Sequence, residues 1–252
     1  MRERRRGRDR LRVLRRGVGL GLALVTVWGV GLTADLSGVG EAVRAWSADS
    51  QAVVGLLAEQ LGLDTVVMMS GLPGGCPEDR TPTWIVTSWP PETEEILRYQ
   101  WQAAVPVWKD LAARARDHGV RHIALEFHGW QLVYNVETLR RLQSEVGGDL
   151  LGVNLDPSHL FWMGADPLEV AKALADCVYH VHIKDVRLEK AAGQNTLLDT
   201  KGVLEFASRS WNFVTPGSGH GADWWRTFLR TLRECGYDGA LKIGRASCRE
   251  RV

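Results

Sequence analysis

The sequence is poor in the features that would place it in a specialised class. Its four cysteines (Cys76, Cys177, Cys235 and Cys248) have neither metal-like spacing nor the density of a secreted disulfide scaffold. Reduced thiols in a cytoplasmic protein are the expectation. No excess of one charge is present, with 31 Lys and Arg against 30 Asp and Glu, so nothing favours nucleic acid as a partner. A phosphate loop is missing too. The Gly-rich run Ser70-Gly71-Leu72-Pro73-Gly74-Gly75 lacks the Lys-Ser/Thr ending. Its small residues suit close backbone approach instead. Histidine is absent before His118, and all seven histidines fall between His118 and His220. A metal or acid–base site is to be sought there.

Long apolar runs are also scarce, and the one near a membrane-spanning length lies at the start. Residues 1–16, MRERRRGRDRLRVLRR, precede GVGLGLALVTVWGVGLTA, an order shared with secretory signals and membrane anchors. No stop-transfer pattern follows it. The competing explanation is an upstream or out-of-frame extension, so residues 1–50 are set aside as non-native-looking or signal/anchor-like. The other end is equally out of character. Ile243–Val252, IGRASCRERV, matches codon for codon a translation of a widely used sequencing-library adapter. Residues 244–252 are therefore expected to be an artefactual tail, and residues 51–243 the folded domain.

Within that domain helical and strand patterns alternate. Gln51–Leu61 has helical spacing, and Asp64–Met69 reads as a buried strand. A loop with Trp84 and Trp89 among prolines suits a cover over a site, although core anchoring explains both tryptophans as well. Glu92–His118 is a long helix in which Pro106 is expected to make a kink or a break. Arg121–His128 is the next strand, and Asn135–Val146 an amphipathic helix. Leu150–Asp156 is a third strand, followed by a helix opened by Asp166 as N-cap and Pro167 at its first position. Val178–Asp185 is a fourth strand. After Arg187 comes a polar stretch of roughly twenty-five residues, long for a connection and therefore a lid candidate. Phe213–Pro216, the helix Asp223–Cys235 and the strand Ala240–Ile243 complete the series. Strands at Asp64, His122, Leu150, Val178, Phe213 and Ala240 imply an α/β fold, a (β/α)8 TIM barrel with about six units recognisable.

Strand parity sorts the polar residues onto one side. Glu126 shares a face with Ala124 and His128, Asp156 with Gly152 and Asn154, and His182 with His180 and Lys184. Taken singly, Glu126 reads equally well as half of a buried ion pair, and a histidine as an ordinary hydrogen-bonding side chain. Two carboxylates and an imidazole at the ends of three strands, all of matching parity, point instead to a divalent metal ion: Mn²⁺, Mg²⁺, Co²⁺ or Zn²⁺. His159, three residues past Asp156, projects over the same mouth.

The segments LEFHGW, NLDPSHLFWMGADP, YHVHIKD, PGSGH and GALKI resemble the sugar phosphate isomerase/epimerase family with its xylose-isomerase-like barrel. The resemblance covers roughly Gln51 to Ile243, and NLDPSH with HVHIKD is its most specific part. It implies a metal-dependent enzyme for a small-molecule sugar, sugar phosphate or related polyol or keto compound, with no nucleic acid and at most a homo-oligomer as protein partner. The implied ligands are Glu126, Asp156, His182 and a further glutamate after the last strand, where this chain has Gly244. Glu126 is implied as one of two glutamates that move a proton through a cis-enediolate. With the second missing, weak metal binding and little turnover are expected. His159 matches a substrate-oxygen contact. His128, Lys184, Arg187 and His220 are weaker substrate-binding candidates; for Lys184 and Arg187 a salt bridge with Asp185 or Glu189 serves equally. Two rival readings are an abasic-site endonuclease on the same barrel and a non-catalytic sugar-binding barrel. The first wants more metal ligands and a basic rim.

Overall fold

Parallel strands need long crossovers, and helices supply them along most of this chain. The computed structural model describes residues 62–243 and the short strand Val25–Thr26. The strands are β1 (Val25–Thr26), β2 (Thr65–Met68), β3 (His122–Glu126), β4 (Leu151–Leu155), β5 (Val178–Ile183), β6 (Asp185–Leu188), β7 (Trp211–Val214) and β8 (Leu241–Ile243). Six form one parallel sheet in the order β1-β2-β3-β4-β5-β8. The helices are α1 (Glu92–Asp117), α2 (Val136–Val146), α3 (Pro157–Met163), α4 (Pro167–Ala173), α5 (Ala192–Asn195) and α6 (Ala222–Glu234). Among the described residues the result is a curled, incomplete (β/α) barrel.

The core lies between the sheet and its helices. Trp101, Trp108 and Leu111 of α1, Leu139 and Leu142 of α2, and Phe228 and Leu232 of α6 join Ile123, Leu125, Val153 and Leu155 in one buried cluster. Each such side chain contributes about 1.5–3 kcal/mol on leaving water. Asn135 caps α2 through a reciprocal box with Thr138. Gly152 is required for β4 to meet β5. A Cβ there would lie 2.3 Å from both the Cys177 carbonyl oxygen and the Tyr179 ring. The register between these strands shifts at Val153/Asn154, setting His180 opposite Asn154.

Four sequence expectations change. The strand read at Phe213 is not a barrel strand: β7 pairs antiparallel with β6, outside the main sheet, and β5 pairs directly with β8. Alternation identifies a strand but does not choose its neighbour. Pro106 does not split α1, which runs unbroken from Glu92 to Asp117. It is exposed, while Trp101, Ala104, Trp108 and Leu111 of the same helix are buried. An additional helix, α3, directly follows β4 and is capped by Asp156. The strand Val25–Thr26 pairs parallel with β2, at a position from which no strand was expected. The helix read at Gln51–Leu61 and the tail 244–252 lie outside the described residues.

Candidate active site

Three adjacent strands end at one place. Glu126 is the last residue of β3, Asp156 follows β4, and His182 is next to last in β5. They are 3%, 1% and 2% exposed respectively, a degree of burial that charged groups tolerate only in company. Asp156 splits its work between its oxygens. Oδ1 accepts from the Ser158 amide at 3.0 Å and the Ser158 hydroxyl at 2.7 Å, closing the first turn of α3. Oδ2 is left to face the site. Glu126 Oε1 and Asp156 Oδ2 lie 3.4 and 3.6 Å from His182 Nδ1, and 3.3 and 3.7 Å from His159 Nε2.

Lys184 lies between the carboxylates. Its Nζ is 2.5 Å from Asp156 Oδ2 and 2.9 Å from Glu126 Oε1, and 3.4 Å from His159 Nε2. The charges set one another. Burial alone would raise Glu126, but hydrogen bonds from His159 and His182 and the charge of Lys184 hold its carboxyl well below the usual range. Burial pulls His182 and Lys184 towards neutrality, and the two carboxylates outweigh it, raising both. His128, 4.2 Å from the His159 ring, is lowered, first by burial and then by the neighbouring His159.

The structure therefore brings together Glu126, Asp156, His182, His159, His128 and Lys184. It separates two other candidates from them. Arg187 is exposed, with its guanidinium on Glu189 at 2.8 Å, the ordinary salt bridge considered above. His220 pairs with Asp185 at 2.8 Å and stacks on Phe161 at 3.7 Å between ring centres. Asp185 also accepts from the backbone amides of Gly217, Gly219 and His220, each at 3.0 Å. Asp185 and His220 thus fasten the Gly-Ser-Gly loop to the start of β6. Lys184 pairs instead with Glu126 and Asp156.

Three contributors escaped the sequence reading. Ser158 orients Asp156, and the Asn154 amide nitrogen lies 3.1 Å from His182 Nδ1. Trp162 donates through Nε1 to His159 Nδ1 at 3.3 Å. An indole N–H only donates, so His159 carries its proton on Nε2, the nitrogen that faces Glu126. The signal was present in the Asp156-Pro157-Ser158 start, the same N-cap chemistry as Asp166-Pro167. Once α3 is recognised, His159 and Trp162 fall one turn apart. Trp162 also stacks on Trp211 and meets Trp84 edge-on. Trp84 is thus half-buried beside the site, whereas Trp89 is 74% exposed.

This donor set fits a divalent cation. Ligand atoms of Glu126, Asp156 and His159 lie within 4.8 Å of one another, with His182 against the same carboxylate oxygens. The place between those oxygens holds positive charge in the form of the Lys184 ammonium.

Fold and site define a class, and the chain belongs to it: the xylose isomerase-like TIM barrel family, whose family model matches residues 9–246. Among individual relatives, the chain is 49% identical over 191 residues to the uncharacterized protein YfiH of Bacillus subtilis, covering 74% of this chain and 61% of that one. It is 34% identical over 146 residues to the rhizopine catabolism protein MocC of Rhizobium meliloti, covering 57% and 42%. With an inosose dehydratase of Clostridium perfringens the identity is 29% over 146 residues, covering 57% and 46%. The chain thus spans between 42% and 61% of these relatives' lengths. Solved structures share the fold. The probable 3-DHS dehydratase AsbF of Bacillus anthracis has a TM-score of 0.64 at 17% identity, covering 99% of this chain and 78% of that one. A D-tagatose 3-epimerase-like protein has 0.61 at 21%, covering 93% and 74%. The IOLI protein with a bound zinc atom has 0.54 at 21%, covering 81% and 61%. Relatives and neighbours include sugar-modifying enzymes. No helix among the described residues is long and apolar enough to cross a membrane.

Proposed function

We propose that this protein is a divalent-metal-dependent isomerase or epimerase that removes a proton from the carbon beside a carbonyl in a sugar, sugar phosphate or related polyol. The observation that carries this reading is the convergence of Glu126, Asp156 and His182 from three neighbouring strand ends, with His159 and Lys184 against the same carboxylate oxygens. Glu126, Asp156 and His182 would hold the ion. A bound divalent ion supplies charge stabilisation for oxygens that become negative as the proton leaves.

The chain's own groups supply the rest. Glu126 is held ionised by its donors, so it is available as a ligand, and in this reading it also takes the proton. His159 presents an N–H from Nε2, fixed by Trp162, and suits a substrate oxygen better than a metal. His182, whose Nδ1 faces both carboxylates from the end of β5, is the imidazole ligand in this reading. The aromatic wall of Trp84, Trp162 and Trp211 limits water beside the reacting carbon.

A dehydratase is the second reading, favoured by the names of the inosose and 3-DHS dehydratases. It begins with the same proton removal and then needs an acid for a departing hydroxyl. The His159 N–H is a donor in place for that.

Proton NMR in D₂O separates these readings. With Mn²⁺ or Zn²⁺ and a panel of ketoses, ketose phosphates and inososes, an isomerase or epimerase exchanges the α-proton without losing water. A dehydratase yields an unsaturated or deoxy product. Exchange is expected to be slow, to rise in Gly244→Glu, and to fall at least about 100-fold in Glu126→Gln. Exchange by none of these compounds, or full activity in Glu126→Gln, overturns the proposal.

A further inference from the structure

Lys184 brings an ammonium of the chain itself into the site, and its position has a consequence for metal loading. Asp156 Oδ1 is committed to Ser158 at 3.0 and 2.7 Å, so any cation that uses Asp156 must take Oδ2. Lys184 Nζ already holds that oxygen at 2.5 Å. On Glu126, Oε1 receives Lys184 at 2.9 Å together with His159 at 3.3 Å and His182 at 3.4 Å. A divalent ion bonds carboxylate oxygens at about 2.0–2.6 Å, depending on the metal. Ion and ammonium would then stand as like charges side by side in a mostly buried site, where repulsion is little screened. They cannot share it in this arrangement.

We propose that Lys184 is a built-in counter-ion that neutralises Glu126 and Asp156 when no metal is bound, and that a divalent ion must displace its ammonium to enter. Lys184 therefore lowers metal affinity while allowing the metal-free barrel to fold with two buried carboxylates. Without it, both carboxylates would sit buried with histidines as their cationic partners among the described residues, which is costly. The direction of the shifts agrees: the carboxylates raise Lys184, and Lys184 helps to lower Glu126. This inference rests on the metal-site reading given above but not on any substrate.

The test is direct binding, with no turnover involved. Zn²⁺ and Mn²⁺ are titrated calorimetrically into the full chain and into Lys184→Met, Lys184→Gln and Arg187→Met. Both Lys184 variants are expected to bind at least about tenfold more tightly than the parent, while Arg187→Met, which removes an exposed cation outside the cluster, binds like the parent. Metal-free Lys184→Met is expected to melt at a lower temperature than the parent and to recover when metal is added. If Lys184→Met does not fold without metal, Lys184→Gln in a chelator-buffered titration gives the same comparison. Metal binding by a Lys184 variant alone supports the proposal. Equal or weaker binding by both Lys184 variants, or binding by no chain, overturns it. Absence of substrate proton exchange alongside tighter metal binding would defeat only the proposed function.

Discussion

Gly152 illustrates how one residue sets the geometry of the site. It precedes Asn154 on the same strand, and the Cys177 carbonyl and Tyr179 ring occupy the volume of a side chain there. Gly152→Ala must push β4, which leads into Asp156, from β5, which carries His182. The expected cost is about 3 kcal/mol, at the upper end for inserting one carbon into a packed region. It would appear as a lower urea midpoint with an unchanged slope, together with weaker metal binding. A stable, metal-binding variant would show that the two strands tolerate separation. At this scale much was legible. Strand parity set Glu126, Asp156 and His182 towards one mouth, and the structure does bring the three together. Parity put Lys184 on the same face, but it did not name its partners: they are 58 and 28 positions away in sequence, and only the meeting of strand ends brings them within reach.

Among the elements, the connection between β6 and β7 is tied at one point by the Asp199 carboxylate. Asp199 accepts from the Ser210 amide at 2.5 Å, the Lys201 amide at 2.9 Å and Lys201 Nζ at 3.2 Å. These bonds, the backbone ones first, pull Asp199 down to about 2 from an ordinary 3.8. The folded state therefore binds fewer protons than the unfolded one between those values, and stability rises with pH across that window. The tie is complete above about pH 4 and is lost as pH falls towards 2. Pepsin should cut within residues 196–208 much faster at pH 2 than at pH 4. At neutral pH, Asp199→Asn should expose Lys190 and Lys201 to trypsin. Equal cleavage of parent and variant would show that the loop is held elsewhere. The same region marks where the sequence reading failed at this scale. Phe213 lies in a genuine strand, but alternation carries no information about whether that strand joins the barrel or folds back on β6. The capping signals were more informative. Asp-Pro opens both α3 and α4, and only the second was used, which hid the helix that sets Trp162 over His159.

For the whole molecule, metal binding and stability are linked. A ligand that binds only the folded chain adds about 2.7 kcal/mol at a hundredfold excess over its Kd. For a domain of this size that corresponds to roughly 5–10 °C in Tm. Scanning fluorimetry with Zn²⁺ or Mn²⁺ should show such a rise, reversed by EDTA and absent in the double variant Glu126→Gln, Asp156→Asn. No shift at millimolar metal would leave the buried carboxylates to Lys184 alone.

The alternation of βα units, the apolar and polar strand faces, the helix caps and the acidic and imidazole strand ends follow from the sequence by itself. They are consequences of local periodicity and side-chain chemistry, which neighbouring residues already define. The order β5-β8, the excursion of β6 and β7 from the barrel sheet, the Asp185–His220 fastening and the Lys184 bridge between Glu126 and Asp156 belong to the tertiary structure alone. Each depends on which distant segments come to lie side by side, and that is decided by packing of the whole core.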